Sequence, residues 1–149
     1  MQIAVIDLGV GNLRSVAQAL TAVAPDADIV VTSDTTAINA ADRVVMPGQG
    51  AIGTWFSALE ERQLKSAVRA CLNEKPMLGI CVGMQIMAEI SEEGKERGMG
   101  WIKGDVRKID ASNLPKKPRL PHMGWNNVQV KGSPPIVEQG EAYFLHGYQ

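Results

Sequence analysis

Cys81 lies between two glycines at a spacing that is typical of a catalytic nucleophile. The segment is Gly79-Ile80-Cys81-Val82-Gly83, which matches the G-x-S-x-G nucleophile elbow with cysteine in place of serine. In an elbow, the sharp strand-to-helix turn strains the backbone of the nucleophile, so its close neighbours must lack bulky side chains. The first amides of the following helix favour a thiolate. The pattern therefore predicts that Cys81 attacks a carbonyl carbon.

A buried structural thiol after a glycine-rich turn is the alternative interpretation of Cys81. Chance places glycine at both flanking positions of one of two cysteines with a probability of about 0.01, which favours the nucleophile. Cys71 shows the contrast, because it falls on the apolar face of a predicted helix with no glycine near it, as a core cysteine does. Two cysteines are too few for a disulfide framework, which indicates a reducing compartment.

The oxyanion that develops on an attacked carbonyl needs hydrogen-bond donors. The backbone amide of Val82 is one candidate. The second is expected from Pro47-Gly48-Gln49-Gly50, which follows a neighbouring strand at the carboxyl edge, where open α/β sheets bind ligands. Its two glycines let a peptide plane turn its N–H toward the ligand. A plain strand-to-helix turn is the alternative for this segment.

Strand and helix signals alternate through the first half of the chain. Short apolar runs predict strands at residues 3–6, 29–32, 43–46 and 77–80. Apolar residues at helical spacing predict helices at residues 13–24, 52–62, 64–73 and 83–90, and Asn12 and Asp34 are predicted helix caps. This order predicts a parallel sheet with helices on both sides. Later strands are predicted near Val106, at 128–130 and at 142–145, with no internal repeat and no second domain.

Composition and charge restrict the class of protein further. The chain has 149 residues, with 15 Lys and Arg against 16 Asp and Glu, so one domain over residues 1–149 is expected. The near-neutral charge argues against nucleic acid or an anionic membrane as a partner. A signal peptide and a bilayer-spanning apolar run are both absent from the sequence, so we expect a cytoplasmic protein. We expect no metal and no cofactor, because the sequence shows neither a ligand set nor a dinucleotide or phosphate-loop motif.

Five segments together resemble the class I, triad-type glutamine amidotransferases. They are residues 5–13, 47–50, 79–85, 121–126 and 143–148. Among these enzymes the closest resemblance is to the glutaminase subunits of imidazole glycerol phosphate synthase, and the segment Pro121-His122-Met123-Gly124-Trp125-Asn126 carries it. The resemblance implies a three-layer, flavodoxin-like α/β domain with a parallel sheet.

The resemblance also implies a reaction and a partner. Cys81 would attack the carboxamide of glutamine, and amides of Val82 and the Gly50 region would hold the oxyanion. After ammonia leaves, water would hydrolyse the glutamyl thioester. Ammonia would pass to a β/α-barrel cyclase subunit, which makes imidazole glycerol phosphate.

Further residues gain roles only through this resemblance. The implied substrate contacts are Gly48, Gln85, His146 and Tyr148, and the implied partner interface is Asn12, Pro121, Met123 and Trp125. Three of them have simpler alternatives. Gln85 could be a solvated surface amide, Asn12 only a helix cap, and Trp125 a core residue instead of a partner anchor in a polar loop.

The sequence departs from the family at the catalytic base. The His–Glu pair in a segment like Q-F-H-P-E is missing, and the only histidines, His122 and His146, match other family positions. Gly147 also stands where the family usually has a hydroxyl residue. These departures predict a chain that is incomplete at its C-terminus and has negligible glutaminase activity as written. The alternatives are a non-catalytic homologue that docks on or regulates the cyclase, and a different cysteine hydrolase.

Overall fold

A computed structural model describes residues 1–94, 97–113, 119–132 and 137–149 of the chain. The chain divides into two compact units, Met1–Asp105 and Val106–Gln149. The prediction of one family domain over residues 1–149 stays a prediction.

The first unit is built on a four-stranded parallel sheet in the order β2-β1-β3-β4. Its strands are β1 (Gln2–Ile6), β2 (Asp28–Thr32), β3 (Arg43–Gly48) and β4 (Met77–Cys81). The connecting helices are α1 (Leu13–Val23), α2 (Thr35–Ala40), α3 (Ile52–Glu61) and α4 (Lys65–Glu74). The predicted alternation of strands and helices in an α/β fold is confirmed.

Two hydrophobic cores lie against the strands of this sheet, because successive strand residues point to opposite faces. Val44 and Met46 of β3 belong to a large core that includes Trp55 of α3 and Val68 of α4. Val45, between them in the strand, belongs to a smaller core against which residues of α1 pack. Helices therefore cover both faces, as predicted. Among the described residues, no helix has the length and apolar character needed to cross a membrane.

Side-chain caps begin two of the helices at the predicted residues. The Asn12 Oδ1 atom accepts a hydrogen bond from the Ser15 amide at 3.2 Å, at the start of α1. The Asp34 Oδ1 atom accepts one from the Thr36 amide at 2.9 Å, at the start of α2. Each cap satisfies an amide that has no partner within the helix, which is worth about 1 kcal/mol.

The predicted helix at residues 83–90 is wrong beyond its first turn. Helix α5 spans only Val82–Gln85, and the chain then reaches the short strand β5 (Ile90–Ser91). The reason is a returning segment that takes the carbonyls a longer helix would use: the Ile86 carbonyl accepts the Met99 amide at 2.7 Å, and the next two carbonyls also accept amides from this segment. Tertiary hydrogen bonds therefore override the helical spacing of the apolar residues.

The second unit contains an antiparallel hairpin. A two-residue strand, β6 (Asp105–Val106), lies at the boundary of the two units, and the hairpin strands are β7 (His122–Val128) and β8 (Gly140–His146). The strand predicted at 142–145 is confirmed. The strand predicted at 128–130 is wrong, since β7 ends at 128, and the polar loop expected around Trp125 is part of β7. Pairing with the apolar strand β8 outweighs the low strand propensity of glycine and asparagine in this segment.

Candidate active site

Cys81 occupies a strained position at the carboxyl end of β4. Its backbone has φ 56° and ψ −119°, a conformation that costs a residue other than glycine about 1–3 kcal/mol and that clusters at active sites. The residue is exposed. The alternative of a buried structural thiol is therefore wrong, and the sulfur-bearing residue is accessible at a sharp strand-to-helix turn.

Both glycines that flank Cys81 are required by close backbone contacts. A Cβ atom on Gly83 would lie 2.0 Å from the Met46 carbonyl oxygen, and one on Gly79 would lie 2.6 Å from the Gly83 carbonyl oxygen. Carbon and oxygen atoms do not approach this closely without a bond. The turn after β4 can therefore press against β3 only because these two residues have no side chain.

The loop after β3 lies directly beside the elbow. Gly48 is the register partner of Cys81, and a Cβ atom on Gly48 would be 2.5 Å from the Gly83 amide nitrogen. The Trp55 indole donates a hydrogen bond to the Pro47 carbonyl at 3.2 Å, which holds the loop. Gly50 adopts φ +84°, with open space where a Cβ would be. The structure thus brings Gly48 and the elbow together, with Gly50 two residues further along the loop.

The first amides of α5 follow directly after Cys81. Helix α5 has only four residues, but the effect predicted from the sequence comes from the first amides of the helix and acts within its first turn. The expectation that these amides favour a Cys81 thiolate stays a prediction. The first amides of α5, beginning with Val82, still have no partner within the helix, so they are available to a ligand as local donors.

The Gln85 side chain is partly buried at the end of α5. Its Oε1 atom is buried and has no hydrogen-bond partner among the described residues. A buried amide oxygen without a partner costs about 1–3 kcal/mol, so the interpretation of this oxygen as a solvated surface group is wrong. Such an acceptor favours a donor supplied by a ligand.

The loop after β1 lies next to the loop after β3. A Cβ atom on Gly11 would be 3.9 Å from the Gln49 Cβ, so both loops meet at the carboxyl edge of the sheet. Asn12 is exposed in this region and caps α1. The capping role is confirmed, and contact with a partner stays a prediction.

The second unit exposes an apolar surface on one side of the β7–β8 hairpin. It consists of the cross-strand pairs Met123–Leu145 and Trp125–Tyr143, and we call it the hairpin apolar face. Trp125 is 72% exposed and the other three side chains are more than half exposed, so the interpretation of Trp125 as a core residue is wrong. Tyr143 and Leu145 were not predicted as part of this surface, because residues 142–145 form a continuous apolar run that does not indicate which side chains are exposed.

The opposite side of the hairpin holds the two histidines. The His122 Nδ1 and His146 Nε2 atoms are 3.2 Å apart, and the His146 Nδ1 atom donates to the Tyr148 carbonyl at 3.2 Å. Pro121 packs near Gly147, where an added Cβ would be 3.7 Å from the Pro121 Cβ in ordinary contact. A Cβ atom would therefore fit at residue 147, where the family usually has a hydroxyl residue. Within the described part of the chain, no three His, Cys, Asp or Glu residues are grouped as metal ligands.

Comparison with known proteins shows the family to which this fold and elbow belong. The family profile "Glutamine amidotransferase class-I" matches residues 4–148. A solved structure described as "Crystal structure of glutamine amidotransferase" superposes with a TM-score of 0.72 at 16% identity, covering 98% of this chain and 71% of that one. The chain belongs to the class-I glutamine amidotransferase family.

Relatives that are more similar to this chain than that solved structure share the name "Imidazole glycerol phosphate synthase subunit HisH". The protein of that name from Thiobacillus denitrificans is 43% identical over 156 residues, covering 99% of this chain and 68% of the relative. The one from Zymomonas mobilis is 45% identical over 152 residues, covering 98% of this chain and 70% of the relative. The resemblance stated from the sequence is confirmed.

Proposed function

We propose that this chain is the glutaminase subunit of an imidazole glycerol phosphate synthase in histidine biosynthesis. The observation that carries the proposal is Cys81, exposed on a strained elbow with the glycine loop of β3 packed beside it. A scaffold protein needs no strained, accessible cysteine, so the elbow favours an enzyme over a non-catalytic docking homologue. The test is covalent labelling of Cys81 by a glutamine analogue that carries an electrophile.

The reaction begins when the Cys81 thiolate adds to the carboxamide carbon of glutamine. The carbonyl oxygen becomes an oxyanion, for which the Val82 amide and an amide near Gly50 are the proposed donors. A proton from water reaches the nitrogen, the oxyanion re-forms the carbonyl, and the C–N bond breaks, which releases ammonia and leaves a glutamyl thioester. Water then cleaves the thioester to glutamate. Loss of one oxyanion donor typically lowers the rate by about 10²–10³.

Glutamine binding is proposed to use a buried acceptor as well as the elbow. The unpartnered Gln85 Oε1 atom suits an N–H donor of the substrate, such as its ammonium group. Gly48, in register with Cys81, is a further proposed substrate contact through its backbone. The resemblance alone implies His146 and Tyr148 as further substrate contacts, and these roles stay predictions.

Substitution Gln85→Ala is expected to weaken glutamine binding about tenfold, because one hydrogen bond to a charged donor is worth about 1.5 kcal/mol. The measurement is the glutamine concentration that halves the rate at which the electrophile labels Cys81. Gln18→Ala is the matched control, since Gln18 is an exposed glutamine on α1. Equal protection of the variant and the unmodified chain would contradict a substrate role for Gln85.

The cyclase is proposed to bind the hairpin apolar face. Isolated apolar side chains are common on surfaces, but a group of four exposed ones with two aromatic rings indicates an interaction site. The Trp125 and Tyr143 rings are 5.7 Å apart and nearly perpendicular, which presents a preformed aromatic anchor. The resemblance also implies Asn12 and Pro121 as interface residues, and these roles stay predictions.

Substitution Trp125→Ala is expected to raise the dissociation constant for the cyclase at least about 30-fold, because buried interface tryptophans cost about 2 kcal/mol or more when truncated. The measurement is calorimetric titration of the purified cyclase subunit. Ile102→Ala is the control, because Ile102 is also more than half exposed and lies outside the hairpin. Unchanged affinity in the Trp125 variant would exclude the hairpin apolar face as the docking surface.

Neither histidine is proposed as the catalytic base. His122 and His146 share a hydrogen bond, and the second ring nitrogen of His146 is engaged by Tyr148. General-base assistance typically contributes about 10²–10⁴ to a rate. We therefore expect this 149-residue polypeptide to take up label at Cys81 while turning over glutamine negligibly. We also propose the cytoplasm as its location, since two free cysteines suit a reducing compartment.

A further inference from the structure

We propose that His122 and His146 form a bidentate site for a divalent transition-metal ion of the Zn²⁺, Ni²⁺ and Cu²⁺ class. The two residues are cross-strand partners in the β7–β8 hairpin, and their facing ring nitrogens, His122 Nδ1 and His146 Nε2, are 3.2 Å apart. This inference concerns only the second unit and does not rest on the proposed glutaminase function.

The distance between the two nitrogens is close to the distance between two nitrogen ligands of one tetrahedral metal ion. With Zn–N bonds of about 2.0–2.1 Å and a tetrahedral angle, two imidazole nitrogens on one ion lie about 3.3–3.4 Å apart. A small rearrangement of the 3.2 Å pair thus admits the ion between the rings. The ion would replace a single shared hydrogen bond with two coordinate bonds.

The surroundings of His146 orient it as a ligand. Metal-bound histidines almost always donate their other ring N–H to a carboxylate, a backbone carbonyl or water, and the His146 Nδ1–H donates to the Tyr148 carbonyl at 3.2 Å. That bond sets the tautomer in which the Nε2 lone pair points toward His122. Half of the coordination is therefore in place before an ion arrives.

The His122 ring is held in position by its neighbours. It stacks on Phe144 with ring centroids 5.7 Å apart and planes 27° from parallel. Its Nδ1 atom carries the proton of the shared hydrogen bond, because the His146 Nε2 atom is the acceptor. Metal binding moves this proton to Nε2 or to solvent, which leaves the Nδ1 lone pair free for the ion.

Water completes the proposed coordination sphere. The described residues offer no third clustered His, Cys, Asp or Glu ligand, so the site has open positions and is expected to bind the ion much more weakly than a structural zinc site does. The bound ion would join β7 and β8 at the end where they pair as His122 and His146. It would therefore raise the thermal unfolding midpoint of the chain.

The test is calorimetric titration of tag-free protein with Zn²⁺, in a Cys81→Ser background that removes the exposed thiol as a competing ligand. We expect one ion per chain and a loss of affinity of at least about tenfold in both His122→Gln and His146→Gln. Asn127→Gln, on the same strand and exposed, is the matched control and is expected to bind like the parent. The expected order of affinities is Co²⁺ < Ni²⁺ < Cu²⁺ > Zn²⁺.

A second measurement tests the site without histidine variants, in case those variants fail to fold. The chain contains two histidines in all, so every imidazole resonance in an NMR spectrum of the Cys81→Ser protein belongs to this pair. Titration with Zn²⁺ is expected to shift the resonances of both rings together. Unmoved imidazole resonances, or binding that survives in both folded histidine variants, would overturn the proposal.

Discussion

A glutamine analogue that carries an electrophile is expected to modify Cys81 at least about 100-fold faster than Cys71. Cys81 is exposed at the elbow, next to the glycine loop of β3. Cys71 is 1% exposed inside α4 and belongs to the main core. An attacking sulfur must be both accessible and ionised, and only Cys81 meets the first condition.

The electrostatic environment of Cys71 strengthens the expected selectivity. Burial raises the pKa of the Cys71 thiol, although nearby Lys75 opposes this effect. A raised pKa keeps the thiol protonated as the pH rises, so Cys71 stays unreactive through neutral and mildly alkaline pH. Cys81 is therefore expected to remain the preferred target across this range.

Peptide mass spectrometry after partial reaction measures the two sites separately. Cys81→Ser is expected to abolish fast labelling, whereas Cys71→Ser, the matched control, is expected to retain it. Glutamine added before the analogue should slow the reaction at Cys81. Equal rates at the two cysteines, or no reaction at Cys81 in the presence of the cyclase, would remove the basis of the proposed function.

The sheet and the elbow could be predicted because their signals are local. Strands buried in a parallel sheet are nearly continuous apolar runs, and β1 and β3 follow this pattern. The elbow depends on glycines two residues to either side of Cys81, which a linear sequence displays directly. The close contacts that make those glycines necessary, with the Met46 carbonyl and the Gly83 carbonyl, agree with that spacing.

The features that could not be predicted depend on pairing between segments that are distant in the sequence. Helix α5 ends early because a segment more than ten residues later binds the carbonyls of Ile86 and its neighbours. The hairpin apolar face and the histidine pair both follow from the register His122↔His146. A one-residue shift of that register would turn every side chain of one strand to the other face, and no local signal in the sequence specifies it.

Substitution Gly83→Ala is expected to lower the free energy of unfolding of the chain by about 3 kcal/mol or more. The new Cβ atom would be 2.0 Å from the Met46 carbonyl oxygen and 2.9 Å from the carbonyl carbon. Both are backbone atoms of a central strand, so no side chain can rotate away and the sheet or the elbow must move. Overpacking of a core, including the backbone shifts that it forces, typically costs about 1–3 kcal/mol, and a clash between backbone atoms places this substitution at the upper end of that range or above it.

Urea denaturation followed by far-UV circular dichroism measures this effect against a matched control. Gly140→Ala adds the same methyl group at a glycine with no atom within 4 Å of the added Cβ, and its cost is expected to be below about 1 kcal/mol. A Gly83 variant that stays folded should also label slowly at Cys81, because the elbow and the β3 loop would no longer fit together. A Gly83 variant as stable and as reactive as the Gly140 variant would show that the elbow does not need this contact, and the steric argument for the glycine spacing would then fail.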